Sequence, residues 1–202
     1  EERIEDLAAE KKIKAGIFQR HKKIIFAFSA YFLGIIVAMS FVFVFLGYEG
    51  VFSMQTRTIE GFSASATNYG NFFQFLSNNS KVMLLTFLLS TMFGAGAILI
   101  LAWNASVIAV YIGLLTKSLE AKIGGAAYLY TLPAGLGAIA LHGIPEITAY
   151  FIAGLAGGIL SVGMIRERIG SKEFKGIFKD ALILLSSAEI LIFTAAILEA
   201  FV

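Results

Sequence analysis

Long apolar runs alternate with short polar breaks along this chain, and the runs match the thickness of a bilayer better than the core of a soluble domain. Residues 24–47 carry no charge and are almost wholly apolar. At about 1.5 Å per helical residue such a run crosses a hydrocarbon core of about 30 Å. A second run extends from Val82 to Leu101, is interrupted by Trp103 and Asn104, and continues as a shorter piece from Ala105 to Leu115. After a small polar stretch at 117–125 comes another short piece, 126–141, which contains Pro133. His142-Gly143-Ile144-Pro145-Glu146 interrupts again, and full-length runs follow from Ile147 to Ile165 and from Ala181 to Val202. The pattern predicts an all-α polytopic bundle of about five full spans plus one or two re-entrant half-helices, with helices broken at Asn104 and at His142–Glu146. The order of long span, break and short piece, then short piece, break and long span, reads as a mirror of the kind built into transporter folds.

The polar segments define the domain organisation. Residues 1–23 place apolar side chains at helical spacing among many charges, with acidic residues first and lysines later. They predict an amphipathic juxtamembrane helix ahead of a single membrane domain, 24–202. Residues 48–80 are poor in charge, and Phe62, Tyr69, Phe72, Phe73 and Phe75 suggest an outer loop lying at the interface, aromatic side down. Asn78-Asn79-Ser80 within it fits a glycosylation sequon, a triplet common by chance. Residues 166–180 are basic, with Arg166, Arg168, Lys172, Lys175 and Lys179. By the positive-inside rule both this loop and the N-terminus face the cytoplasm of a multi-pass cell-membrane protein. Residues 102–146 must then cross an odd number of times, which is why one short piece is expected to be re-entrant.

Composition supports this reading. Of 202 residues, 58% are hydrophobic and 15% charged, and mean hydropathy is +0.82. A soluble domain carries about 25% charged residues, so this chain lacks the charge to cover a water-facing surface. There is no cysteine, which removes thiol catalysis, disulfides and Cys-ligated zinc. A net charge of +2 gives no reason to expect a nucleic-acid partner.

Against that background the few intramembrane polar groups carry the candidate chemistry. Ionisable side chains at membrane depth are expensive and mark either a function or a tight pair. Asn104, His142, Gly143, Pro145, Glu146 and Glu189 are the candidate polar site. On a helix, His142 and Glu146 would sit one turn apart, able to share a proton or an ion. Equally, Glu146 could cap a helix start while His142 bonds a neighbouring helix. If a metal binds, these two are its ligands, although a catalytic zinc wants three protein ligands and HExxH is absent. Asn104 suits a helix cap or an interhelical hydrogen bond. Glu189 needs an interior partner, with His142 and the basic N-flank as options. Glu199, near a span end, can be interfacial. Ala149, Ala153, Gly154, Gly157 and Gly158 form a small-residue surface for close helix packing, within the chain or in a homo-oligomer, and Gly94 and Gly96 mark a similar surface. No complete catalytic set is visible and no cofactor is implied, so an enzyme is not expected.

These residues together resemble the stage II sporulation protein M family. The resemblance rests on Asn78-Asn79 before a span, Gly94 and Gly96, Asn104 after it, and HG-x-x-E at 142–146 followed by small residues at 149, 153, 154 and 157. A terminal A-x-x-E at 196–199 completes it. It covers roughly 24–202. The family pattern often has Pro before the His, where this chain has Leu141, and Asn-Gly where it has Asn104-Ala105. The resemblance implies an integral membrane fold. In spore formers it further implies a part in engulfment, anchoring peptidoglycan-remodelling partners. The function expected first is a non-enzymatic scaffold gathering envelope partners through loop 48–80; the alternative is a transporter or channel for an ion, proton or lipid that uses the broken helices as a polar midplane site.

Overall fold

The computed structural model describes residues 22–47, 49–65 and 72–201. The expected amphipathic segment 1–23, apart from its last two residues, lies outside them, as does Tyr69. The fold is an all-α bundle. Its helices are α1 (Lys22–Phe45), α2 (Ser53–Ser65), α3 (Phe72–Phe93), α4 (Ala97–Ile123), α5 (Ala127–Arg166) and α6 (Lys172–Phe201), with 3₁₀ turns at Glu49–Phe52 and Gly124–Ala126. Four helical stretches are long and apolar enough to cross a membrane: Ile25–Phe45, Ala97–Gly137, Ala140–Arg166 and Lys172–Ala200.

Both expected helix breaks are absent. α4 runs straight through Asn104, because the side-chain amide donates back to the Ile100 carbonyl at 2.9 Å. This bond satisfies the polar group without ending the helix. The chain breaks earlier, at Gly94-Ala95-Gly96. Gly94 has φ +68°, a left-handed conformation that glycine alone adopts cheaply. A Cβ on Gly96 would collide with the Leu89 backbone. The two glycines therefore make a turn, not the packing surface expected of them. The Ala97 amide, at the start of α4, donates to the buried Ser90 hydroxyl at 2.8 Å. Ser90→Ala would orphan that buried N–H. The expected result is a loss of about 1–3 kcal/mol of stability, read as a lower unfolding temperature in detergent.

α5 likewise continues through His142–Glu146 and includes both Pro133 and Pro145. Gly143 keeps ordinary helical angles, since the positive-φ glycines among the described residues are Gly47, Gly94, Gly124 and Gly170. Pro145 removes the donor that would reach the Leu141 carbonyl, but α3 and α6 both pack along α5, and such packing lets membrane helices absorb a proline. The short piece 126–141 and the span 147–165 are thus one 40-residue helix, about 60 Å long and roughly twice the thickness of a bilayer core. The outer loop and the basic loop are also shorter than expected. Phe72 to Ser80 form the first turns of α3, and Lys172 to Asp180 the first turns of α6.

Close contacts fix the directions of the helices. Phe28 and Phe32 both pack on Phe151 with ring centroids 6.0 Å apart, while Phe45 stacks on Tyr128 at 5.2 Å. α1 therefore runs antiparallel to α5, with its N-terminal lysines toward the Arg166 end. α4 and α5 form a hairpin over Gly124, tied by the buried Thr116 and Thr131 hydroxyls at 2.6 Å. Small residues allow α5 to sit at the centre. Ala149 and Ala153 are fully buried. A Cβ on Gly154 would lie 2.6 Å from the Ala97 Cβ, and one on Gly157 2.7 Å from the Ser90 Cβ. Gly158 has more room, with the Gly94 carbonyl oxygen 3.4 Å from its notional Cβ. The small-residue surface is used within the chain, against α3 and α4.

The polarity of the bundle is that of a membrane protein. Leu129, Ile165 and Phe26 are 85%, 82% and 75% exposed, whereas Thr86, Ser90 and Thr131 are buried at 0%, 0% and 1%. An apolar exterior this extensive is stable only against lipid.

Candidate functional site

Polar residues from five helices converge on a cavity of 530 Å³, within the roughly 300–1,000 Å³ range of small-molecule sites. α2 contributes Thr58 and Ile59, and α3 contributes Phe75, Asn78, Asn79, Val82 and Leu85. α4 lines it from Ile100 to Tyr111, including Trp103 and Asn104. α5 supplies His142, Gly143, Glu146, Ile147 and Tyr150, and α6 supplies Glu199.

Each polar side chain is placed by a local rule. Asn79 begins the buried stripe Asn79, Met83, Thr86, Ser90 on α3, a spacing of four, three and four residues that keeps one helix face inward. Asn79 is 5% exposed and accepts from the Asn78 amide at 3.2 Å. Because α5 is unbroken, His142, Glu146 and Tyr150 stand on successive turns of one face. The Tyr150 hydroxyl, on a side chain only 1% exposed, donates to Glu146 Oε1 at 2.7 Å. Glu146 is therefore held by a partner on its own helix and does not cap a helix start. Asn104, satisfied on its donor side by Ile100, keeps its carbonyl oxygen for the cavity. α2 and the turn before it cover this side of the bundle: Gln55 Nε2 donates to Ser106 Oγ at 3.1 Å, and Phe52 in the turn packs edge-on to Phe43 at 5.5 Å.

The cavity thus gathers Asn104, His142, Gly143 and Glu146. Pro145 and Glu189 do not line it. Glu189 accepts from Ser80 Oγ at 2.7 Å and does not join His142 at the cavity, while most of the N-flank expected as its other option lies outside the described residues. The Asn78-Asn79-Ser80 triplet lies inside a helix, with its serine already engaged, and not on the surface loop a sequon requires. Asn79, Tyr150 and Glu199 belong to the cavity, although sequence reasoning did not join them to it. The i, i+4 spacing of Glu146 and Tyr150 was the available signal for Tyr150, and the polar stripe of α3 for Asn79. Glu199 had no such signal, since its place depends on how α6 folds back. Among the described residues no group of three or more His, Cys, Asp or Glu is positioned to hold a metal.

No curated protein and no solved structure matches the chain. A family model does, over residues 24–202: Stage II sporulation protein M.

Proposed function

The chain belongs to the Stage II sporulation protein M family, and from that footing we propose that this multi-pass membrane protein moves a small solute or lipid headgroup through the bilayer by way of its internal cavity. The observation that carries the reading is the 530 Å³ cavity faced by Asn79, Asn104, His142, Glu146, Tyr150 and Glu199, open on one side, between the helices of an otherwise apolar bundle. Polar groups at this depth are costly unless they serve a solute or a tight structural pair, and the pairs made here, Glu146 with Tyr150 and Asn79 with Asn78, leave His142 and Glu199 facing the cavity. No covalent chemistry is part of this reading.

In this reading Arg166, Arg168, Lys172 and the N-terminal end of α1 face the cytoplasm, a positive-inside arrangement. The short connection between α5 and α6 carries Gly170, where the positive φ of 92° marks a tight exposed turn. A cysteine replacing Gly170 should react with an impermeant thiol reagent only from the cytoplasmic face. Labelling from outside would reverse the topology.

Flux tests the function itself. Protein reconstituted into liposomes should raise the flux of protons, potassium or a small amine above that of protein-free liposomes. Flux of none of these, with no gain in the transbilayer movement of phosphatidylethanolamine, would remove the transport reading. The scaffold reading would instead use the outer side of the Glu49–Phe52 turn and the start of α2, where Val51 and Met54 are 75% and 63% exposed. It requires that photocrosslinkers at these positions capture an envelope protein in native membranes.

A further inference from the structure

The chemistry of the cavity wall narrows the ligand. Two carboxylates, Glu146 and Glu199, face the cavity, and no lysine or arginine is among the residues that line it. The wall therefore carries acceptors of positive charge, and among the described residues that line it the one basic side chain is His142. The volume of 530 Å³ is far beyond one water-sized ion, whose share of space is about 30 Å³. Beside aliphatic side chains the wall carries four aromatic ones: Phe75, Trp103, Tyr111 and Tyr150. Aromatic faces attract organic cations, most strongly where water is excluded. Asn79, 5% exposed, accepts through Oδ1 from Asn78, and among the described residues its amide nitrogen donates to none. That leaves a buried donor at the wall to meet an oxygen on the ligand.

We propose that the cavity binds an organic ammonium group, with its positive end toward Glu146 and Glu199, its apolar flank against the rings, and an adjoining oxygen accepting from Asn79. A free amino alcohol and the ethanolamine headgroup of a phospholipid share this chemistry. The proposal rests on the reading of this cavity as the functional site.

The protein supplies its own probe, because Trp103 is the single tryptophan of the chain and lies in the wall. The full chain is reconstituted in phosphatidylglycerol vesicles, which contain no ammonium group. Trp103 emission is then followed during titration with ethanolamine, and separately in vesicles doped with phosphatidylethanolamine. Potassium chloride at matched ionic strength is the control. A saturable change is expected with at least one ammonium source and not with potassium. Response to free ethanolamine assigns a soluble amine, and response to the doped vesicles alone assigns the lipid headgroup. Glu146→Gln and Glu199→Gln should each weaken the response by about tenfold or more, while Glu173→Gln, exposed at the start of α6, leaves it unchanged. An equal response to potassium, no saturable response to either ammonium source, or a response that survives both cavity variants would overturn the proposal. Flux without an ammonium response overturns the ligand class alone. An ammonium response without flux overturns the transport reading and leaves the ligand class standing.

Discussion

Gly157→Ala is expected to lower the unfolding temperature of the detergent-solubilised protein sharply, while Gly158→Ala, one residue further on, leaves it near wild type. A Cβ on Gly157 would run into the Phe87 carbonyl oxygen and would lie 2.7 Å from the Ser90 Cβ and 2.9 Å from the Thr91 amide nitrogen. Two of these three neighbours are backbone atoms of α3, which cannot rotate away. The helices must separate, and the contact that opens is the α3–α5 crossing at Phe87, Ser90 and Thr91. Overpacking of this kind costs about 1–3 kcal/mol, occasionally more, and here the upper end is expected because a whole helix must shift. At Gly158 the nearest atom, the Gly94 carbonyl oxygen, is 3.4 Å away, an ordinary contact. Circular dichroism melts of the two variants under identical conditions check the pair. Equal melting temperatures would mean that α3 does not press on α5 as closely as described.

Glu146→Gln is expected to reduce flux by about tenfold to a hundredfold while leaving the fold intact. The substitution preserves shape, and the Tyr150 hydroxyl, 2.7 Å from Glu146 Oε1, can donate to the glutamine carbonyl oxygen instead. What is lost is the negative charge. Hydrogen bonds to charged groups contribute about 1.5–3 kcal/mol, which corresponds to that range of rates or affinities. Tyr150→Phe makes the opposite change. It keeps the carboxylate and removes its partner from a side chain that is 1% exposed, so stability should fall by about 1–3 kcal/mol with flux less affected than in Glu146→Gln. If both variants lost flux and stability in parallel, the pair would be structural and the charge would have no separate role.

The sequence made the membrane class legible because hydropathy records what each residue prefers as solvent, and lipid is an unambiguous solvent. It misplaced the boundaries within the bundle for the same reason. Asn104 and His142–Glu146 lower local hydropathy and so resemble breaks. The backbone responds to hydrogen bonding instead, and Asn104 satisfies itself on the Ile100 carbonyl. The real break, Gly94–Gly96, is invisible to hydropathy because glycine is nearly neutral on such scales, yet it is plain to backbone sterics. The continuous α5 is legible only with its neighbours in place, since Pro145 disfavours a helix in isolation and α3 and α6 offset that cost. In the site, His142 and Glu146 could be read from charge at membrane depth. Their joining with Asn79 and Glu199 is tertiary, set by the tight α3–α5 crossing at Gly157 and by the return of α6.

The central claim is that Asn104, His142 and Glu146 face a wet cavity that a solute can reach. Since the chain contains no cysteine, a single Asn104→Cys substitution in liposome-reconstituted protein reports on it directly through a charged, membrane-impermeant thiol reagent. Ile190→Cys, at a lipid-facing position 67% exposed on α6, sets the rate expected for a thiol out of reach of water. The Asn104→Cys thiol should react much faster than the Ile190→Cys thiol, from at least one side of the membrane. Equal, negligible reaction at both positions would mean the cavity is dry and sealed, and would contradict the claim.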